Sequence, residues 1–131
     1  MTERTPVRTY RDLKAWQKAF DLCADVYRLT RRFPRSEVYG LTAQMQRAAV
    51  SIPSNIAEGF GRRTTADFLR SLYIAYGSVC ELQTQVLLAA RLDYLPKKEA
   101  NSLLQSVGDA EHLTKALIRA LERKLSSASG V

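Results

Sequence analysis

An apolar rhythm in steps of three and four recurs in four stretches of this chain and never gives way to strand-like alternation, which leaves helices as its building blocks. Its clearest run is Leu41, Met45, Ala48, Ile52, Ile56 and Gly59, one face of a helix that keeps its phase through Pro53. A proline there removes the hydrogen bond to the Ala49 carbonyl and crowds that carbonyl with its ring. A kink at Pro53 is therefore expected, and two shorter helices meeting at Ile52 are the competing arrangement.

The other stretches carry their own start and stop signals. Thr9 with Asp12 three residues on has the capping-box form, and Leu13, Trp16, Phe20, Cys23 and Tyr27 follow as the expected buried stripe of a first helix ending near Arg32. Pro34 interrupts the pattern, and Ser36 is placed to cap a second helix that starts at Glu37 and is closed by Gly59 and Gly61. Thr64 with Asp67 opens the third, whose inward positions are Phe68 or Leu69, Leu72, Tyr76, Val79, Leu82 or Gln83, and Val86, stopping before Asp93. Pro96 marks the turn into the fourth, with Ala100, Leu103, Val107, Leu117, Leu121 and Leu125 facing inward. Four such helices with short connections predict an all-α, up-down-up-down four-helix bundle over residues 10–125, with flexible ends at 1–9 and 126–131.

At 131 residues the chain has room for one core and needs neither metal nor disulfide to stabilise it. Cys23 and Cys80 lie in separate helices and read as reduced core residues; the single histidine, His112, reads as a surface imidazole. No metal site and no cofactor are expected. The first residues carry charges and no apolar block, and the longest apolar run, Val86 to Ala90, is far short of the roughly 20 residues that cross a bilayer. The expectation is a cytoplasmic protein without a membrane partner. An enzyme would need a nucleophile beside a base, a metal set or a phosphate-binding glycine loop, and Gly59-Phe60-Gly61 lacks the remaining glycines of the last.

Two features exceed what a plain bundle needs. One is a polar stripe on the second helix, Gln44, Arg47, Ser51, Asn55, Glu58 and Arg62, flanked by small residues and offset by about 100° from the apolar stripe. The third helix offers Ser71, Ser78, Glu81 and Gln85 opposite it, so Arg47 and Asn55 are placed to meet Glu81 within the chain or across a subunit boundary. A solvated face is the alternative. The other feature is the sorting of the +7 net charge. Seven basic residues face three acids at the pole holding the first and third connections, ten face five at the opposite pole, and three face five at the waist. Basic ends suit phosphates, and Arg31, Arg32, Arg35, Arg62, Arg63, Lys97 and Lys98 are the candidate nucleic-acid contacts. The helix dipole alone accounts for part of this, since it favours bases such as Arg31 and Arg32 at a C-terminus.

The segment Tyr39-Gly40-Leu41 through Ser51-Ile52-Pro53-Ser54-Asn55-Ile56-Ala57-Glu58-Gly59, with Phe68-Leu69 and Gly77-Ser78-Val79-Cys80-Glu81-Leu82, resembles a known bacterial family. It is similar to the four-helix bundle proteins named for reading frames inside intervening sequences of 23S ribosomal RNA genes, over roughly Tyr10 to Leu121. More distantly it is similar to the accessory protein of diversity-generating retroelements, a basic pentamer that joins a reverse transcriptase and binds nucleic acid. The resemblance implies a left-handed bundle, a closed homopentameric ring and no enzymatic activity. The function expected is a homo-oligomer that associates with nucleic acid, RNA foremost. The alternative is a self-assembling scaffold or protein adaptor.

Overall fold

The computed structural model describes residues 6–129, and among them all regular structure is helical. Four helices, α1 (Lys14–Thr30), α2 (Leu41–Phe60), α3 (Thr65–Arg91) and α4 (Lys97–Ser129), are joined by short connections, with single 3-10 turns at Tyr10–Asp12 and Arg35–Glu37. Helix α4 continues through the serine-rich stretch to Ser129, past the expected end at Leu125.

Local chemistry sets these ends. The Asp12 carboxylate accepts from the backbone N–H groups of Arg8 at 2.8 Å and Thr9 at 3.1 Å, completing the capping box, but the box closes a 3-10 turn and α1 begins after it. Helix α2 begins at Leu41, not Glu37, and Ser36 caps nothing because it lies inside the second 3-10 turn. Glu37 takes that part: its carboxylate accepts from the Leu41 N–H at 3.0 Å and from the Tyr94 hydroxyl at 2.8 Å. Thr64 Oγ1 accepts from the Asp67 N–H at 3.1 Å, as its position promised. Helix α3 ends with Asp93 at φ +62° and the Tyr94 N–H on the Ala89 carbonyl, a left-handed stop more often given to glycine.

Helix α2 runs unbroken through Pro53, which is buried, so the two-helix alternative fails. Gly59 does not close the helix but lies within its last turn. A Cβ there would stand 2.8 Å from both Phe68 Cδ1 and Ser71 Cβ, so this glycine lets α3 press against α2. Gly61 is the C-cap, its N–H shared between the Ala57 and Glu58 carbonyls.

Each helix packs against the two beside it in the order α1, α2, α3, α4 and back to α1, and the backbones of the diagonal pairs α1/α3 and α2/α4 do not come within 8 Å of each other. Neighbours run antiparallel. Lys18 meets Asp109 and, at the far end of α1, Arg32 meets Glu99. Gly59 abuts Ser71 while Ser51 bonds Ser78.

The core takes the whole apolar stripe of α2 and, on α3, Leu69, Leu72, Ala75, Val79, Leu82 and Val86. On α1 the buried line is Ala15, Ala19, Leu22, Val26 and Thr30, one position behind the expected Leu13, Trp16, Phe20, Cys23 and Tyr27. Alanine lets neighbouring backbones approach closely, so the small residues face the axis and the bulky ones fall on the flank. Trp16 and Cys23 are half-buried, whereas Phe20 and Tyr27 are exposed. On α4 the inward line continues from Val107 through Ala110, Thr114 and Ile118, leaving Leu117 and Leu121 half-buried and Leu125 exposed. A straight α-helix of 3.6 residues per turn drifts away from a strict seven-residue repeat, and over 33 residues the drift moves the stripe. Cys80 is exposed rather than in the core.

Candidate nucleic-acid interface and polar seam

The middle of the α2 polar stripe, Ser51 and Asn55, forms a seam with α3, while Gln44, Arg47, Glu58 and Arg62 are exposed. Ser78 Oγ donates to Ser51 Oγ at 2.8 Å, and Asn55 Nδ2 reaches the Ser51 hydroxyl and carbonyl at 3.0 and 2.8 Å. Ser51 and Asn55 are half-buried, and Ser71, Ser78 and Gln85 are buried on the α3 side. The anticipated contact of Arg47 or Asn55 with Glu81 is not made: Asn55 turns along its own helix, and Arg47, Glu81 and Gln44 are exposed. Gln85, two turns from Ser78 on the same face, buries a carbonyl oxygen without a hydrogen-bond partner among the described residues. At the far end of the seam a cleft of about 250 Å³ is lined by Asn55, Glu58, Arg62, Asp67, Arg70, Ser71 and Ile74. Its cations are spoken for, Arg62 by Glu58 at 2.6 Å and Arg70 by Asp67 at 3.6 Å.

The first and third connections meet at one pole, where Phe33 packs on Tyr94 and Tyr94 bonds Glu37. Arg32 is paired with Glu99 there, and Arg28 with Asp25. Arg31, Arg35, Lys97 and Lys98 are exposed and make no ion pair among the described residues. At the other pole Arg63 stands likewise, next to the engaged Arg62. At the waist Lys18 pairs with Asp109 and Lys115 with Glu111, and of the candidate cations without an ion pair four lie at the first pole and Arg63 at the other.

Few groups are perturbed. The Leu41 N–H, then the Tyr94 hydroxyl, hold the Glu37 carboxyl below the usual carboxylate range, and the Arg8 and Thr9 N–H groups do the same for Asp12. Donating to a carboxylate lifts the phenols of Tyr94 and Tyr73 above their ordinary value, and burial pushes the Cys23 thiol up. Glu37, Asp12, Tyr94 and Tyr73 are capping and tethering groups. Among the described residues no group of three or more His, Cys, Asp or Glu side chains is placed to hold a metal ion. His112 is exposed, and no helix is long and apolar enough to cross a membrane.

A four-helix chain with this seam matches the family model described as 23S rRNA-intervening sequence protein, over residues 11–119. The chain belongs to that family. No curated protein matches it. Among solved structures, a protein of unknown function from the S23 ribosomal protein family of Bacteroides thetaiotaomicron superposes with a TM-score of 0.72 at 20% identity, covering 79% of this chain and 97% of that one. At that identity the likeness concerns the fold. Neither the family nor this neighbour is attached to a catalytic activity.

Proposed function

We propose that this family member is a non-catalytic, cytoplasmic, self-associating bundle that contacts nucleic acid, RNA foremost, through the pole carrying Arg31, Arg35, Lys97 and Lys98. The observation that carries the reading is the contrast in pairing: the waist lysines are held by acids, whereas these four exposed cations make no ion pair. Arg32, Arg62 and Arg63 contribute charge, but Arg32 and Arg62 are already engaged by Glu99 and Glu58. One bundle of this charge binds weakly. A ring of copies, a pentamer by family resemblance, would repeat the pole around an axis and gain avidity without new chemistry.

The test is RNA binding against salt concentration for the wild type and for Lys97→Glu with Lys98→Glu. Unrelated RNA sequences should fall in affinity about equally, because phosphate contacts position a backbone and read no bases. The slope of log affinity against log salt should become shallower by about 0.7 for each single-strand phosphate that the variant no longer neutralises. A scaffold or protein adaptor without nucleic acid is the competing reading, favoured by Tyr39, which is 95% exposed near the same pole. It takes over if the wild type binds neither RNA nor DNA at low salt.

A further inference from the structure

Tyr39 is 95% exposed, whereas the next most exposed large apolar side chains among the described residues, Phe20 and Leu87, stand at 54%. A half-exposed side chain rests one side on its helix; at 95% both faces of the Tyr39 ring are bare. It makes no ring contact, hydrogen bond or ion pair among the described residues. A single exposed aromatic needs no explanation by itself. Two further observations set this one apart.

The first is that its backbone is pinned. The Val38 N–H bonds the Arg35 carbonyl at 3.1 Å and the Gly40 N–H bonds the Glu37 carbonyl at 2.9 Å, so Tyr39 lies in a hydrogen-bonded turn directly before α2. The Glu37 carboxylate ties that turn at two more points, the Leu41 N–H and the Tyr94 hydroxyl. A bare ring on a fixed turn gives up little backbone freedom when something stacks on it. The second is the charge around it. Arg35 opens the same turn, four residues before Tyr39. The bond from Tyr94 to Glu37 brings in the third connection, where Lys97 follows Tyr94 by three residues, and the pair of Arg32 with Glu99 holds the end of α1, next to Arg31, against the start of α4. Of the three acids at this pole Glu37 and Glu99 are engaged, which leaves Asp93 against the four cations that make no ion pair among the described residues.

Together these select the occupant. An apolar protein surface laid on Tyr39 would strip water from the neighbouring cations without giving them partners. Double-stranded RNA would neutralise the cations, but its base faces are stacked on one another inside the helix and none is left for the ring. A single strand supplies both, phosphates for the cations and a splayed base for the ring. We propose that Tyr39 is a stacking platform and that the pole takes single-stranded RNA, one base lying on the Tyr39 ring while Arg31, Arg35, Lys97 and Lys98 hold the flanking phosphates. This rests on the RNA-binding pole proposed above and adds the form of RNA and the residue that selects it.

Three probes test it: a single-stranded RNA of about ten nucleotides, the same strand with its bases removed, and the same strand annealed to its complement. Tyr39→Ala should weaken binding of the intact single strand about tenfold, the loss of one stacked base, and leave the abasic strand and the duplex unchanged. Duplex carries the denser charge, so the comparison lies in the response to the variant and not in which probe binds tighter. Tyr39→Phe keeps the ring face and should bind like the wild type. Stacking releases no counterions, so Tyr39→Ala should keep the wild-type slope of log affinity against log salt, whereas Lys97→Glu with Lys98→Glu makes it shallower. The site is exposed, and an unchanged melting temperature checks that the fold is retained. If Tyr39→Ala binds the intact strand as tightly as the wild type, or weakens all three probes equally, the platform falls while the basic pole stands. It falls likewise if Tyr39→Phe loses as much as Tyr39→Ala, which would assign the effect to the hydroxyl and not to the ring face. A wild type that binds none of the probes at low salt overturns pole and platform together and leaves Tyr39 to a protein partner.

Discussion

Thr114 and Glu37 show how single side chains depart from what their neighbourhood favours. Thr114 sits in the core line of α4, fully buried, with its hydroxyl bonded to nothing among the described residues. An unpaired buried hydroxyl costs free energy that an apolar group of the same shape does not. Thr114→Val should therefore raise stability by about 1 kcal/mol, read as a higher urea midpoint at unchanged m-value. Glu37 is the opposite case, a charged group with two donors aimed at it. Its carboxyl titrates lower in the folded chain than in the unfolded one, so its contribution is present above the unfolded pKa and is lost as pH falls through the folded value. Glu37→Gln should lower the melting temperature at neutral pH. The gap to wild type should close in acid below the normal carboxylate range, and thermal melts across that range check it.

At the scale of elements, the connection after α2 turns on one contact. Gly59→Ala gains about 1 kcal/mol of helix propensity. The new methyl group, however, meets Phe68, Ser71 and the Phe68 carbonyl, at 2.8, 2.8 and 3.2 Å. Overpacking of this kind costs about 1–3 kcal/mol, and a backbone carbonyl cannot rotate away, so a net loss of about 1 kcal/mol is expected in chemical denaturation. Helix α2 is legible in the sequence because its apolar stripe is uninterrupted and its neighbours are small or polar. Helix α1 is legible only to within one position, because its apolar rhythm is strongest along its largest residues. Trp16, Phe20 and Tyr27 lie about 100° from Ala15, Ala19 and Val26, and hydrophobicity alone ranks an aromatic residue above the alanine that close packing prefers.

For the whole molecule, the two basic poles are unequal. At the seam end Arg62 is bound to Glu58, beside Asn55 and Ser71, whereas Lys97 and Lys98 make no such pair. Reversing Lys97 and Lys98 should lower RNA affinity and leave mass in solution unchanged, with a melting temperature that does not fall, because acids in the first turn of α4 suit the helix dipole. Arg62→Glu sets two carboxylates against each other at the mouth of the cleft and should lower the melting temperature whether or not RNA is present. Calorimetry of both variants, run beside the binding titrations, separates a pole that binds from one that holds the seam together.

Four helices, most of their ends, the core faces of α2 and α3 and the family all follow from residues near one another in the chain, because local periodicity, capping chemistry and a distinctive run around Pro53 encode them. What depends on distance between elements came from packing alone. It assigned Arg32 to Glu99, and it brought the Tyr94 hydroxyl to Glu37 from 57 residues away. It also set the aromatic ridge of α1 on the flank of the bundle and not in its core. The space on the bundle axis is filled by small side chains whose neighbours come from other helices, and no local pattern encodes which neighbours those are.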